Sequence, residues 1–306
     1  MAVTDIIKKK KKGAALGKTE PYLYLAPAGI ALLFMYAYPI LSSFYIAVHE
    51  YNLKRLDRVY FTGLANFAKI FKDTDITMIS RNTVIYVVIC VSAQFLMGTA
   101  LALALWRPFP GRAIYQGIVF FPWAMSTFVV GLIYRWSFNG EYGIVNDLLI
   151  KSGLLGSKLA FLGTPGLSLM VVIFAVIWMG VPFFGIMGLA ALQSIPDDVM
   201  EAAEIDGCSA IGRFFNITLP YIKPTIITTI LLRTIWVFNG VEMIVVVTEG
   251  GPANTSEILS SFLYKKAYSG FDFGFAAALG LMFIAGLLIY LAIYLKLTRF
   301  SEAGDF

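Results

Sequence analysis

One short polar segment, residues 194–222, separates two long apolar stretches and carries the residues best placed for chemistry. It contains Glu201-Ala202-Ala203, three further residues, Gly207, nine residues, and then a run that ends in Leu219-Pro220. A carboxylate next to two small alanines suits a contact in which an arginine of another protein pairs with the acid. No phosphate-binding sequence G-x-x-x-x-G-K-[ST] occurs in the chain, so this spacing predicts a docking surface and not a nucleotide site.

The same segment predicts two short helices. Ser194 and Asp197 have the spacing of a helix start, with Ser194 as the capping side chain and the acid at the positive end of the helix dipole. Ile205 is expected on the packing face of this first helix. Gly207 is expected to end it in a left-handed conformation, which glycine adopts without steric cost. A second helix is expected at about 209–216.

Residue types that catalyse covalent reactions or bind metals are scarce. His49 is the only histidine, and Cys90 and Cys208 lie in segments of different polarity. No CxxC or Cys/His spacing indicates a metal site. We therefore expect no catalytic triad, no zinc site and no disulfide.

Polar residues inside the apolar stretch 223–247 indicate a binding face. On a straight helix, Trp236, Asn239 and Glu242 would share an arc of about 120°. A ring, an amide and a carboxylate are groups that stack on a sugar and hydrogen-bond to it. For Arg233, which would lie opposite Glu242, we favour an interhelical hydrogen bond or a partner-subunit contact over solute binding.

The composition predicts an all-α membrane protein. The chain has 306 residues, of which 58% are apolar and 14% charged, and its mean hydropathy is +0.76. Six stretches reach the length of about 20 residues that a membrane-spanning helix needs. They lie near residues 22–47, 83–106, 113–136, 168–193, 223–247 and 274–297. Gln94, in the second stretch, is expected to form an interhelical hydrogen bond.

One membrane domain, residues 22–297, is expected between a basic tail at 1–21 and a short C-terminal tail at 298–306. The lysines of the first tail precede a stretch too long for a signal peptide, which predicts both termini in the cytoplasm. The alternative is a tail that only improves solubility or that derives from purification. The net charge of +5 does not indicate nucleic acid, because the basic residues are spread along the membrane edges.

The spacing of residues 201–220 resembles the EAA loop of permease subunits in bacterial ABC importers. The outer segments Phe61–Phe67 (FTGLANF) and Thr248–Asn254 (TEGGPAN) are similar to the carbohydrate-uptake, maltose-type branch of that family. The resemblance spans the whole chain. It implies a type I importer bundle of six transmembrane helices in the bacterial cytoplasmic (inner) membrane.

The resemblance also assigns residues. Contact with an ATPase is implied for Glu201, Ala202, Ala203, Asp206, Gly207, Leu219 and Pro220. A solute path is implied for Trp123, Thr127, Met179, Gly180, Phe183, Asn239 and Gly240, to which the helical arc adds Trp236 and Glu242. Trp123 and Phe183 stand where the family pattern has aromatic hydroxyls, which argues against maltose itself. The alternative for the tryptophans is packing against lipid or other helices.

The resemblance implies that the chain imports a carbohydrate with a second permease subunit, two ATPase subunits and an extracytoplasmic solute-binding protein. ATP and Mg²⁺ would bind to the ATPases, leaving this chain without a cofactor and without enzymatic activity. One alternative is uptake of a phosphorylated or sulfonated polyol such as glycerol 3-phosphate, which Arg233 would suit. An intramembrane enzyme would need clustered Asp, His or Ser residues that the spans lack, and a plain membrane anchor would not need the EAA spacing.

Overall fold

The computed structural model describes residues 20–298, so most of the two predicted tails lies outside the described residues. Within this range the chain is mainly helical, with one two-stranded antiparallel hairpin formed by β1 (His49–Glu50) and β2 (Tyr60–Phe61). The helices are α1 (Glu20–Leu32), α2 (Tyr38–Ala47), α3 (Ala65–Lys72), α4 (Ile76–Trp106), α5 (Arg112–Ala124), α6 (Thr127–Ser137), α7 (Ile144–Lys151), α8 (Leu167–Gln193), α9 (Asp197–Ile205), α10 (Ala210–Arg213), α11 (Leu219–Phe238), α12 (Val241–Val247), α13 (Leu259–Tyr264) and α14 (Phe273–Thr298).

Five helical segments of the described chain are long and apolar enough to cross a membrane. They are Tyr22–Ala47, Ile76–Trp106, Leu167–Gln193, Ala210–Phe238 and Phe273–Thr298. The bent pair α5 and α6 makes a sixth crossing if the two helices are counted as one span. The predicted fold class, an all-α membrane protein with six transmembrane segments, is confirmed.

The third predicted span, 113–136, was wrong as a continuous helix. Helices α5 and α6 meet at an angle of 90°. Pro122 lies in the last turn of α5, and the next residues, Met125 and Ser126, adopt extended conformations with ψ of 150° and 135°. Proline lacks an N–H and crowds the preceding turn, so it favours the end of a helix at this point.

The bounds of two other spans also differ from the prediction. The second span begins at Ile76 and not near residue 83. The fifth, predicted at 223–247, is a helical segment from Ala210 to Phe238 followed by the separate helix α12. The apolar composition continues across the break, so hydropathy alone could not mark it.

The core of the bundle forms where α4 packs along α8, the most extensive helix–helix contact in the described chain. Gly98 on α4 brings the two backbones close together, because a Cβ at this position would overlap Phe184 on α8. Tyr86 and Cys90 of α4 and Val172 of α8 are buried in the same cluster. Small residues of this kind are common where membrane helices pack closely.

A polar network holds the outer segment 248–258 against the start of α4. Asn254 donates a hydrogen bond from Nδ2 to Asp75 at 2.7 Å, and Asn82 donates to the carbonyl of Thr255 at 2.9 Å. Glu257, only 2% exposed, forms an ion pair of 3.3 Å with Lys265. The segment forms a tight turn at its glycines and proline, and a left-handed Gly250 with φ of 78° contributes to it.

Candidate functional site

A cavity of about 350 Å³ opens where the fifth span breaks. It is lined from four sides, by α4, by the start of α6, by α8, and by the segment from α11 to α12. The lining residues are Tyr86, Thr127, Val176, Met179, Arg233, Trp236, Val237, Asn239, Gly240, Val241, Glu242 and Met243. We call this space the solute cavity.

The break itself is built from Asn239 and Gly240. Helix α11 ends at Phe238, and the Asn239 side chain caps it by donating from Nδ2 to the carbonyl of Ile235 at 2.8 Å. The chain turns at Gly240, whose ψ is 74°, and an added Cβ there would lie 3.2 Å from the Tyr86 hydroxyl. The straight-helix arc proposed for Trp236, Asn239 and Glu242 was therefore wrong, but all three line the cavity.

Glu242 lies in the first turn of α12, where the positive end of the helix dipole stabilises a carboxylate. Its side chain is exposed towards the cavity. No hydrogen bond or ion pair to this carboxylate occurs within residues 20–298. The group is therefore free to accept hydrogen bonds from a bound molecule.

Arg233 is tied to two other helices. Its Nε donates to Oε1 of Gln94 at 2.7 Å, and Gln94 donates from Nε2 to the carbonyl of Val176 at 2.7 Å. Both interhelical hydrogen bonds expected for these side chains are confirmed, and Arg233 also reaches the cavity. Gly180 does not line the cavity. It makes room for this pair, because a Cβ at Gly180 would overlap both side chains.

An aromatic cluster of Trp123, Phe183 and Trp236 borders the cavity. The ring of Phe183 lies 5.8 Å from that of Trp123 and 5.1 Å from that of Trp236. Phe183 is only 2% exposed, so in this conformation a solute would not touch it. Trp123 and Trp236 are 43% and 48% exposed. Phe183 is therefore better placed to close the cavity than to bind within it, whereas the Trp236 ring lines the cavity.

Tyr86 is the polar cavity residue that the sequence analysis missed. It is buried on α4, and its hydroxyl lies beside Gly240. The sequence could have singled it out by residue type, because it is the single tyrosine of the second predicted span. Val237, Val241 and Met243 had no such signal, since apolar residues in a span are equally expected in the core.

The predicted docking loop forms helix α9 and a sharp bend. Glu201, Ala202 and Asp206 are exposed, whereas Ala203 is 5% exposed and packs inward. The left-handed bend predicted at Gly207 is present, with φ of 73°. It is fixed by hydrogen bonds from Gly207 N to the carbonyl of Glu204 and from Cys208 N to that of Ala203, which form a Schellman motif.

Three details of the loop differ from the prediction. Ser194 does not cap α9, because its hydroxyl donates back to the carbonyl of Ala191 at 2.7 Å. Ile205 is not on a packing face but is 86% exposed. The expected second helix at 209–216 is not separate: α10 continues through a π-helical segment, Phe214–Thr218, into α11. Leu219 and Pro220, half-buried, lie at the start of α11.

The exposed side of the loop is apolar as well as acidic. Ile205, Ile211 and Phe215 are 86%, 74% and 59% exposed. Large apolar side chains in a polar loop between spans are typical of a protein-binding surface. Within the described residues, no group of three His, Cys, Asp or Glu side chains could hold a metal ion.

Residues 94–301 match the family described as the inner membrane component of binding-protein-dependent transport systems. The chain belongs to this family. It is thus a multi-pass ABC transporter permease, as the EAA spacing implied.

Two relatives of this permease cover nearly the whole chain. The trehalose/maltose transport system permease protein of Thermococcus litoralis is 33% identical over 96% of this chain and 97% of its own length. The sulfoquinovosyl glycerol transport system permease protein of Agrobacterium fabrum is 32% identical over 92% of this chain and 90% of its own.

A chain in the crystal structure of a bacterial ABC transporter that imports the acidic polysaccharide alginate has the same fold. The TM-score is 0.79, with coverage of 96% of this chain and 98% of that chain. The sequence identity of 24% means that this likeness supports the fold alone.

Proposed function

We propose that this permease moves a carbohydrate across the cytoplasmic membrane as one subunit of a binding-protein-dependent importer. The observation that carries the proposal is the solute cavity at the break between α11 and α12. Its volume lies within the range of about 300–1,000 Å³ typical of small-molecule sites. The printed names of the relatives, which include trehalose/maltose and sulfoquinovosyl glycerol systems, support the same class of solute.

The groups around the cavity suit a molecule rich in hydroxyls. The Trp236 ring offers an apolar face for stacking, and Glu242 and Thr127 offer hydrogen-bonding oxygens. Asn239 uses its Nδ2 to cap α11, which leaves Oδ1 as an acceptor. In the proposed importer, a second permease subunit completes the wall of this cavity.

Helix α9 is the proposed docking site for an ATPase subunit. Glu201 presents a carboxylate, Ala202 permits close approach, and exposed Ile205 offers apolar area. We propose that the complete transporter consists of two permeases, two ATPases that bind ATP and Mg²⁺, and an extracytoplasmic binding protein. In this arrangement α9 lies on the cytoplasmic side, as do both termini.

Uptake of an anionic polyol is the weaker hypothesis. Arg233 lines the cavity and would attract an anion, but its Nε is already engaged by Gln94. The carboxylate of Glu242 faces the same space, where it would repel a phosphate or sulfonate. A neutral sugar avoids this repulsion.

The purified chain is expected neither to bind nor to hydrolyse ATP, because the nucleotide sites are proposed to lie on partner subunits. The measurement is ATP hydrolysis by the chain alone and by the complex co-expressed with its ATPases. If the chain alone still hydrolyses ATP after contaminating ATPases are removed, the proposal that the nucleotide sites lie on partner subunits is contradicted.

The solute is best identified by screening the cognate binding protein against sugars, and uptake of that sugar then tests Asn239. In Asn239→Leu, loss of a neutral hydrogen bond costs about 0.5–1.5 kcal/mol, which corresponds to roughly a two- to tenfold loss of uptake. ATP hydrolysis stimulated by the binding protein should persist at least in part, because α9 is unchanged.

Asn239→Thr is the matched control. Thr234 on the same helix donates to the carbonyl four residues back at 2.8 Å, so a threonine at 239 is expected to keep the cap on α11. Uptake should remain reduced in Asn239→Thr if the amide oxygen contacts solute, and should recover if only the cap matters. Normal uptake by a fully assembled Asn239→Leu complex would place the binding face elsewhere.

A further inference from the structure

A second cavity, of about 520 Å³, lies between α5 and α8 near the docking loop. Its polar lining consists of Arg112 and Gln116 on α5 and Gln193 at the end of α8. The Nε atom of Arg112 is buried and has no hydrogen-bond partner. Arg112 therefore carries an unsatisfied donor next to the cavity that it lines.

The second cavity and the solute cavity lie on the same face of α8. At about 100° per residue, the α8 residues that line either cavity or separate them fall within an arc of about 140°. They are Val176, Met179, Phe183, Ile186, Leu189, Ala190 and Gln193. Together they form one stripe that runs along α8 from the solute cavity to the docking loop.

Helix α5 presents a matching stripe. Arg112, Gln116, Phe120 and Trp123 fall within an arc of about 80° on this helix. The first three line the second cavity, and Trp123 contacts Phe183 of α8. Because α5 packs against α8, the two stripes border one groove with a cavity at each end.

The aromatic cluster fills the groove between the cavities. Phe183 lies between Trp123 and Trp236, at ring distances of 5.8 and 5.1 Å, and the Arg233 guanidinium lies 5.8 Å from the Phe183 ring. A hydroxyl-rich solute cannot cross close-packed rings without displacing one of them. Phe183, the least exposed of the three, is the ring that joins the other two.

We propose that the two cavities are consecutive solute-binding sites along one path, and that the aromatic cluster is the barrier between them. This inference rests on the proposed function. The second cavity takes the same hydroxyl-rich solute, with the Arg112 guanidinium and the Gln116 and Gln193 carboxamides replacing water around its hydroxyls. Phe183 thus controls passage and does not serve as a binding residue.

Thiol labelling tests the barrier without knowledge of the solute. Cys208 is replaced by serine, and Cys90 is fully buried and remains. Met179→Cys then reports on the solute cavity and Gln193→Cys on the second cavity. An impermeant maleimide is added to inside-out membrane vesicles that contain the complete transporter, so that it enters from the side of the docking loop.

Phe183→Ala is expected to raise the labelling rate of the Met179→Cys reporter severalfold and to leave the Gln193→Cys reporter unchanged. Phe184→Ala is the matched control, because Phe184 is the same residue type, is 4% exposed and lines neither cavity, although its ring contacts both Phe95 and Phe183. It should change neither rate. Phe183→Leu, which retains much of the volume, provides a milder variant if Phe183→Ala does not assemble.

An unchanged Met179→Cys rate in assembled Phe183→Ala and Phe183→Leu complexes would overturn the barrier. An equal increase in the labelling rate of the Met179→Cys reporter in the Phe184→Ala complex would also overturn it. Failure of the proposed function would look different, since it would be an absence of carbohydrate uptake by the unmodified transporter with the labelling pattern intact.

Discussion

Gly180→Ala is expected to disrupt the junction of α4, α8 and α11 and to abolish most transport. A Cβ at this position would overlap the Arg233 guanidinium and the Gln94 carboxamide. Gln94 is fully buried, and its hydrogen bonds to Arg233 and Val176 link the three helices. A buried polar group left unsatisfied costs about 1–3 kcal/mol, and more when it is charged.

The measurements are thermal stability of the purified complex and solute uptake. Gly286→Ala is the control, because Gly286 lies on the membrane-spanning helix α14 and, within residues 20–298, the added Cβ meets no atom within 4 Å beyond its own helix backbone and chain neighbours. It should be neutral or stabilise by up to about 1 kcal/mol, the helix preference of alanine over glycine. Equal stability of Gly180→Ala and the unmodified complex would contradict the close packing of Arg233 and Gln94 around Gly180.

Gly207→Val is expected to prevent ATPase subunits from docking while the spans still insert. Its φ of 73° lies in the left-handed region, where a β-branched residue is strained by about 1–2 kcal/mol or more. Apart from the glycine itself and its two chain neighbours, no heavy atom of the described residues lies within 4 Å of an added Cβ, so the strain arises in the backbone alone. Relief of that strain would unwind the end of α9 and move Glu201. The measurement is co-purification of the ATPases with the permease.

Gly207→Asn distinguishes two causes of a docking defect, backbone strain and side-chain bulk. Asparagine adopts the left-handed conformation more readily than other side chains, so this variant should retain docking. If Gly207→Val co-purifies and transports normally, the bend is not required for docking. If Gly207→Asn fails together with Gly207→Val, then side-chain bulk and not conformation decides the outcome.

The parts of the fold that the sequence predicted depend on local signals. Long apolar runs marked the helices now seen as α4, α8 and α14, and Gly207 marked its bend because only glycine takes that conformation at little cost. The bend between α5 and α6 and the break at Asn239 lay inside apolar runs, where hydropathy gives no signal. Ile205 was expected to pack because it is aliphatic, yet residues 20–298 leave it 86% exposed.

The sequence predicted site residues within individual spans but not the contacts between spans. Asn239, Glu242 and Met179 were chosen for their types and motif positions, and they do meet at one cavity. The role of Gly180 was not visible, because it depends on Arg233 and Gln94 arriving from two other helices. Such junctions arise from tertiary packing, on which a single-span pattern carries no information.

The continuous helical segment from Ala210 to Phe238 gives the molecule a mechanical element. At 1.5 Å per residue its 29 residues form a rod of about 40 Å, with the docking loop at one end and Asn239 at the other. A rod of that length amplifies small rotations, so a tilt of roughly 5° about its base would shift the far tip by about 3–4 Å. The five-residue π-helical stretch at Phe214–Thr218 interrupts this rod near its base, and such interruptions are frequent at functional sites.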